Sequence, residues 1–258
     1  MKNDIKMFER NSIEILYAKG LCSLPLHSHE CFCFGVVLDG EATFLIDDKR
    51  KGLRKGMTYL IPSNVGVTID TDAGNYGYSY ITICLKNELK DNLMRYQYEN
   101  YFPHDDKADE IMRICDRFIG GGSQRKFLED VTELILDGAG EVANPDSEDD
   151  YEKRLVTAAS DYIKSHLLEK FDLDAAADSV HISKYHFIRI FKKYMGVIPN
   201  QYYIQAKLFL AKRELKGENK ESDVAADLGF SDQSYLCNTF KKHMGISMKD
   251  FRNNISSF

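Results

Sequence analysis

SDVAADLGFSDQSYLCNTFKKHMG, residues 222–245, is the stretch whose reading decides the fold. Val224, Ala225 and Leu228 form the apolar side of a short helix, Gly229 marks a turn, and a second helix runs from about Asp232 to His243. The same arrangement stands about fifty residues earlier in LDAAADSVHISKYHFIRIFKKYMG, 173–196. There the short helix is read over 173–179, the turn over 180–182, and the second helix from Lys184, behind the N-cap Ser183, to about Tyr194, before Gly196. FKKYMG at 191–196 matches FKKHMG at 240–245. Two helix-turn-helix units are therefore expected. Between them PNQYYIQAKLFLAKRELKG begins a helix at Pro199 and ends it at Gly217, a rod of about 27 Å. Phe187, Ile190 and Phe191 form the buried stripe of the first recognition helix. Lys184, Tyr185, Ile188, Arg189, Lys192 and Lys193 then face outward, a surface that suits phosphates and base edges. A plain helical bundle with solvated lysines is the bland alternative, and the duplicate with its connecting rod weighs against it.

The 258 residues suffice for two domains, and 43% hydrophobic and 29% charged residues with five prolines describe a soluble globular chain. MKNDIKMFERN carries charges where a signal peptide needs an apolar run, and no window approaches a membrane span of about 18 apolar residues, so a cytoplasmic protein without membrane contact is expected. The six cysteines, at 22, 31, 33, 84, 115 and 237, include no CxxC pair and are read as reduced thiols. Net charge is −6, divided as −10 over residues 1–150 and +4 over 151–258, which puts the basic excess in the helical part.

Between Ser12 and Lys86 the chain reads as short β-rich runs: SIEILYA, CFCFGVVL, EATFLID, MTYLIPS, VGVTID and YGYSYITICL. Asp39-Gly40, between two of them, signals a hairpin. The runs predict a small antiparallel barrel or sandwich over 1–86. Helical period follows in NELKDNLMRYQYEN, DDKADEIMRICDRFI and QRKFLEDVTELILDG. Ile111, Ile114, Cys115 and Phe118 share one stripe; Phe127, Val131, Leu134 and Ile135 share another. Such stripes serve equally for packing on the barrel or for a dimer interface; residues 87–136 are assigned as a helical dimerisation segment. The acidic stretch 137–150 is read as a linker, and 151–258 as all helix. The expected fold class is α+β: an N-terminal antiparallel β-barrel with appended helices, then an all-α domain with two helix-turn-helix motifs.

ISKYHFIRIFKKYMGVIP, the AKLFLAKREL helix, VAADLGFSDQSYLCNTFKKHMGIS and the final DFR resemble the AraC/XylS family of transcription regulators. The β-rich half resembles, more loosely, that family's cupin-like effector domain through HSH, VVLDGEATF and LRKGMTYLIPS. The resemblance implies a sequence-specific DNA-binding transcription regulator, read as an activator. Its partners would be double-stranded promoter DNA, RNA polymerase, a small-molecule effector and a second copy of the chain. Carried across residue by residue, it implies base contacts from Tyr185, Ile188 and Arg189 in the first unit and from Gln233, Ser234, Cys237 and Asn238 in the second. Lys184, His186, Lys192, Lys193, Lys241 and Lys242 fall at phosphate or flanking positions. His181 departs from the family's frequent Gly, a strained position for His. Lys207 stands where Arg is frequent, Met248 where Pro is usual, and Asn238 replaces a frequent Arg; Asn reads adenine more naturally than guanine.

PLHSHECFCFG, 25–35, sets His27, His29, Cys31 and Cys33 at alternate positions, hence on one face if the segment is a strand. Cupin enzymes place metal on a similar His-x-His, but their later histidine would fall at Val67. On one straight strand the four side chains spread over about 20 Å, so only neighbours could share an ion. Three readings stand: an effector pocket of His27, His29, Cys31, Cys33, Tyr59 and Tyr80, with Tyr78 a further polar candidate; plain strand filling; or a metal or thiol redox site that could include Cys22. The first is adopted, with no metal, cofactor or catalytic residue. The alternative function is a metal-dependent cupin enzyme with an accessory helical domain. No phosphate loop, Ser-His-Asp set or paired catalytic carboxylates support other chemistry.

Overall fold

The computed structural model describes residues 4–21, 23–46, 48–71, 77–93, 96–98, 101–139, 141–143, 151–215, 217 and 219–255. Cys22 and residues 144–150 of the expected linker lie outside them.

Strands β1 (Asp4–Arg10) and β2 (Ile13–Leu21) open the chain, followed by β3 (Leu24–His27), β4 (Phe32–Asp39), β5 (Glu41–Ile46), β6 (Lys49–Arg54), β7 (Thr58–Ile61), β8 (Val67–Asp70) and β9 (Tyr78–Leu85). The expected barrel takes the form of two antiparallel sheets, in the orders β1-β2-β9-β4-β7 and β3-β8-β5-β6. β1 and β2 are joined by Asn11 and Ser12, with φ of 49° and 66°, the two left-handed residues that match hairpin twist. β1 lies outside the span read from sequence because Lys6, Glu9 and Arg10 dilute its apolar alternation. Asp39-Gly40 closes no hairpin: β4 lies in the first sheet and β5 in the second, so the dipeptide turns a corner between them.

β9 is buried along its whole length, which explains its nearly unbroken apolar sequence. Tyr78, Tyr80 and Cys84 face Phe44, Val67 and Ile69 between the sheets. Ile81, Ile83 and Leu85 face the other way, toward the helices that follow. After α1 (Glu88–Leu93) and β10 (Tyr96–Tyr98) come α2 (Ala108–Ile119), α3 (Gln124–Ala139) and β11 (Glu141–Ala143). The stripes Ile111, Ile114, Cys115, Phe118 and Phe127, Val131, Leu134, Ile135 are all buried against the outer face of the first sheet. Of the two uses left open for them, packing on the sheet is the one taken. The helix read through NELKDNLMRYQYEN stops at Leu93, because Tyr96–Tyr98 is extended and pairs with Glu141–Ala143. The linker read as 137–150 accordingly begins within α3 and contains β11.

The rest is helical: α4 (Tyr151–Ser165), α5 (Leu173–Asp178), α6 (Lys184–Met195), α7 (Pro199–Glu214), α8 (Glu221–Asp227), α9 (Gln233–Met244) and α10 (Met248–Ile255). Local capping fixes the recognition helices. The Ser183 hydroxyl accepts from the His186 amide and Asp232 from the Tyr235 amide, while Gly196 and Gly245 end α6 and α9 in the left-handed conformation. The rod between the units is the 16-residue α7, about 24 Å long, ending short of Gly217. Lys207, buried on α7, donates to the Gly229 carbonyl at 3.2 Å and lies over the rings of Tyr203 and Phe230. Burial lowers its pKa. It ties the rod to the second unit's turn.

His181 does adopt the left-handed conformation, φ 57°, as Gly229 does at 64°. A methyl group at Gly229 would also sit 2.7 Å from the Leu168 carbonyl. His181→Gly is therefore expected to stay within about 1 kcal/mol of the parent, relief of strain offsetting added chain entropy, while Gly229→Ala destabilises by about 1–2 kcal/mol or more. Urea unfolding of both variants checks the contrast, and equal effects would contradict it.

Candidate nucleic-acid interface and its joint to the sheets

Lys184, Tyr185, Arg189, Lys192, Lys193, Gln233, Ser234, Asn238, Lys241 and Lys242 are exposed, and His186, Ile188 and Cys237 half-buried, while Phe187, Ile190, Phe191, Leu236 and Phe240 fill the core beneath them. The structure thus puts every residue expected at the DNA surface on the outer faces of α6 and α9. Tyr235, 48% exposed in the first turn of α9, belongs to the same surface, though nothing in the sequence singled it out.

Both faces are engaged by carboxylates. Glu152, in the first turn of α4, lies 2.8 Å from Lys193 Nζ, 3.2 Å from Arg189 Nη2 and 3.5 Å from His186 Nε2. Lys193, first of all, holds the Glu152 carboxyl below its ordinary pKa. In the second unit Glu221 of α8 accepts from Gln233 Nε2 at 3.3 Å and from the Cys237 thiol at 3.6 Å, and burial together with Glu221 pushes that thiol up. Ion pairs this exposed are weak, so a polyanion can displace them. No sequence signal identifies Glu152 or Glu221, because pairing across a helix crossing has no fixed spacing.

The HSHEC stretch proves to be a joint. Between β3 and β4, the Ser28 amide donates to Gln205 Oε1 at 3.4 Å, and Glu30 Oε1 accepts from the Tyr202 hydroxyl at 2.7 Å and pairs with Lys164 at 3.0 Å. Tyr202 and Gln205 lie on α7. Farther along that helix, Lys212 Nζ lies 2.7 Å from Glu14 on β2, whose other oxygen takes Lys86 at 3.0 Å. Burial alone would raise the Glu14 carboxyl; Lys212 and Lys86 outweigh it and bring the pKa down to about 2. Backbone meets backbone where a methyl group on Gly66, before β8, would stand 2.7 Å from the Gly196 carbonyl at the end of α6. α9 lies beside β3 and α10 beside β1, with Met248 and Phe251 in the same core as Ile5.

The six expected pocket residues fall into two groups. Tyr59 and Tyr80 are buried between the sheets; the Tyr59 hydroxyl is 2.6 Å from Thr82 Oγ1, its ring packs on Phe44, and Tyr80 stacks on Tyr78. Burial pushes all three tyrosine pKa values up. Of the other four, Cys33 lies on the same inter-sheet face, opposite Cys84, whereas His27, His29 and Cys31 stand in or beside the bend whose Ser28 and Glu30 reach α7. They do not lie along one straight strand, because β3 ends at His27 and β4 starts at Phe32. The bend between gathers one donor atom each from His29, Cys31 and Cys33 within 4.8 Å of one another, which corrects the expectation that only a neighbouring pair can meet. Cys31 and Cys33 sulfurs are 3.5 Å apart, and Cys33 is 3.7 Å from Cys84, its ladder partner on β9. Donation from Cys33 and Cys84 lowers the Cys31 thiol and raises their own pKa values. Burial brings His27 down to about 3 and lowers His29 too, so both imidazoles are neutral near pH 7. Val67, where a cupin enzyme's later histidine would stand, is the ladder partner of His27. That enzyme ligand set is not assembled.

The family described as the AraC-like ligand binding domain matches residues 22–126, and a helix-turn-helix domain family matches residues 176–254. The chain belongs to the AraC family of transcription regulators. This AraC-family chain is 24% identical over 247 residues to the probable transcriptional regulator LumQ of Photobacterium leiognathi, covering 87% of itself and 90% of that protein. It is 35% identical over 109 residues, 42% of its length, to the bifunctional transcriptional activator/DNA repair enzyme AdaA of Bacillus subtilis. It spans 49% of AdaA and 32% of the regulatory protein PocR of Salmonella typhimurium. The unsaturated fatty acid bound ToxT of Vibrio cholerae shares the fold, with a TM-score of 0.63 at 12% identity over 97% of this chain and 98% of ToxT. Among the described residues no helix is long and apolar enough to cross a membrane.

Glu152 sets a test of the AraC-family surface. Glu152→Gln removes a negative charge beside three cations and is expected to tighten binding to duplex DNA about two- to fivefold. Fluorescence anisotropy at fixed salt measures this, and unchanged or weaker binding would contradict the placement of that face.

Proposed function

We propose that this chain is a sequence-specific DNA-binding transcription regulator, acting as an activator in the cytoplasm. The observation that carries the reading is the pair of capped recognition helices, α6 and α9, joined by the single rod α7, with their cationic and polar faces outward. Lys184, His186, Lys192, Lys193, Lys241 and Lys242 are assigned to phosphates and flanking contacts. Tyr185, Ile188 and Arg189, and in the second unit Gln233, Ser234, Cys237 and Asn238, are assigned to base edges. The N-terminal sheets take a small-molecule effector or support a homodimer; the AraC-like ligand binding domain match and the fatty acid bound to ToxT support the effector. RNA polymerase is the partner that activation requires. Contacts at Ser28, Glu30 and Glu14 give the sheets a direct hold on α7, and an effector that binds one arrangement of this joint better than another shifts the population of DNA-competent chains.

Titration of the chain with its own promoter DNA tests the reading. Affinity should fall steeply with salt. Arg189→Ala should weaken binding by about 1–3 kcal/mol and relax base preference at one position, and Asn238→Ala should do the same at a position read by the second unit. An unchanged affinity and footprint in both variants would overturn it.

A further inference from the structure

The bend between β3 and β4 brings together chemistry that DNA recognition does not use. His29 and Cys31 come from the bend, Cys33 from β4 and Cys84 from the facing position on β9. The Cys31–Cys33 sulfur spacing of 3.5 Å is close to the edge of about 3.8 Å that 2.3 Å zinc–sulfur bonds give in a tetrahedral set. Cys33 and Cys84 are buried, whereas His29 and Cys31 are half-buried, so the group has a closed floor and an open rim through which an ion could enter. Glu14, the carboxylate facing Cys84 across the β2–β9 ladder, is already held by Lys212 and Lys86 and leaves the donor set to nitrogen and sulfur. Among the described residues no other three His, Cys, Asp or Glu side chains converge in this way. Thiols packed merely as small apolar groups would have no use for an imidazole at the same point.

We propose that His29, Cys31 and Cys33 form a three-donor binding site for one thiophilic metal ion, zinc(II) or copper(I). Thiolate and imidazole donors favour these two ions over the hard cations magnesium and calcium. Binding displaces the thiol protons to solvent and involves no electron transfer. The site is independent of whether the chain binds DNA.

The test uses the full chain, reduced and stripped of metal by chelator. Zinc(II) and copper(I) are added in competition with chromophoric chelators, and cobalt(II) serves as the optical reporter of the zinc site. The expected result is one equivalent of zinc or copper bound, with thiolate-to-cobalt charge-transfer absorption in the cobalt form. Cys31→Ser and His29→Gln should each weaken binding by at least about tenfold without lowering the melting temperature of the metal-free chain, since both side chains sit at the rim. Cys115→Ala, remote from the group, should leave binding as it was. Failure to bind either ion in competition, or binding that persists undiminished in both rim variants, would overturn the proposal.

Discussion

Glu14 sits on the second strand of the chain and Lys212 near the end of α7, and their 2.7 Å contact joins two halves of different charge and architecture. The carboxylate is nearly excluded from water, and two ammonium groups compensate it. Removing one partner of such a buried arrangement typically costs about 3–5 kcal/mol, far more than an exposed pair contributes. With Glu30 on Tyr202 and Ser28 on Gln205, it grips α7 from one side. α7 in turn carries α6 before it and the α8–α9 unit behind it, and Lys207 fastens the latter's turn to the rod. The sheets thus meet the recognition units both by way of α7 and directly, at Gly196 behind α6 and along α9 and α10.

The parts of this architecture that were legible in the sequence are those governed by local chemistry. Ser183 as N-cap, Gly196 as a stop and the strained turn at His181 each act within one or two turns of chain, so their residue types announce them. The repeated FKK-x-MG did the same for the duplication. Sheet topology was less legible. Asp39-Gly40 reads alike whether the chain reverses within one sheet or crosses to another, and YQY turned extended only because Glu141–Ala143 offers it a partner more than forty residues away.

The interface residues divide along the same line. Which side chains of α6 face outward followed from helical period, those of α9 from the family resemblance, and both sets lie exposed or half-buried. The carboxylates that cover them, Glu152 and Glu221, come from other helices and have no period to betray them. For the His27 to Cys33 row, alternation was correct as a pattern but wrong as geometry. A two-residue period assumes a straight strand, and the break between His27 and Phe32 brought His29, Cys31 and Cys33 together.

The central claim is that α6 and α9 enter one face of a duplex together because a rod of about 24 Å holds them. Hydroxyl-radical footprinting of the full chain on its promoter measures this most directly. The account predicts two protected segments on the same side of the helix, centred about one helical turn, or roughly 10 base pairs, apart, each lost when its own recognition helix is altered. A single protected segment, or two on opposite faces of the duplex, would contradict it.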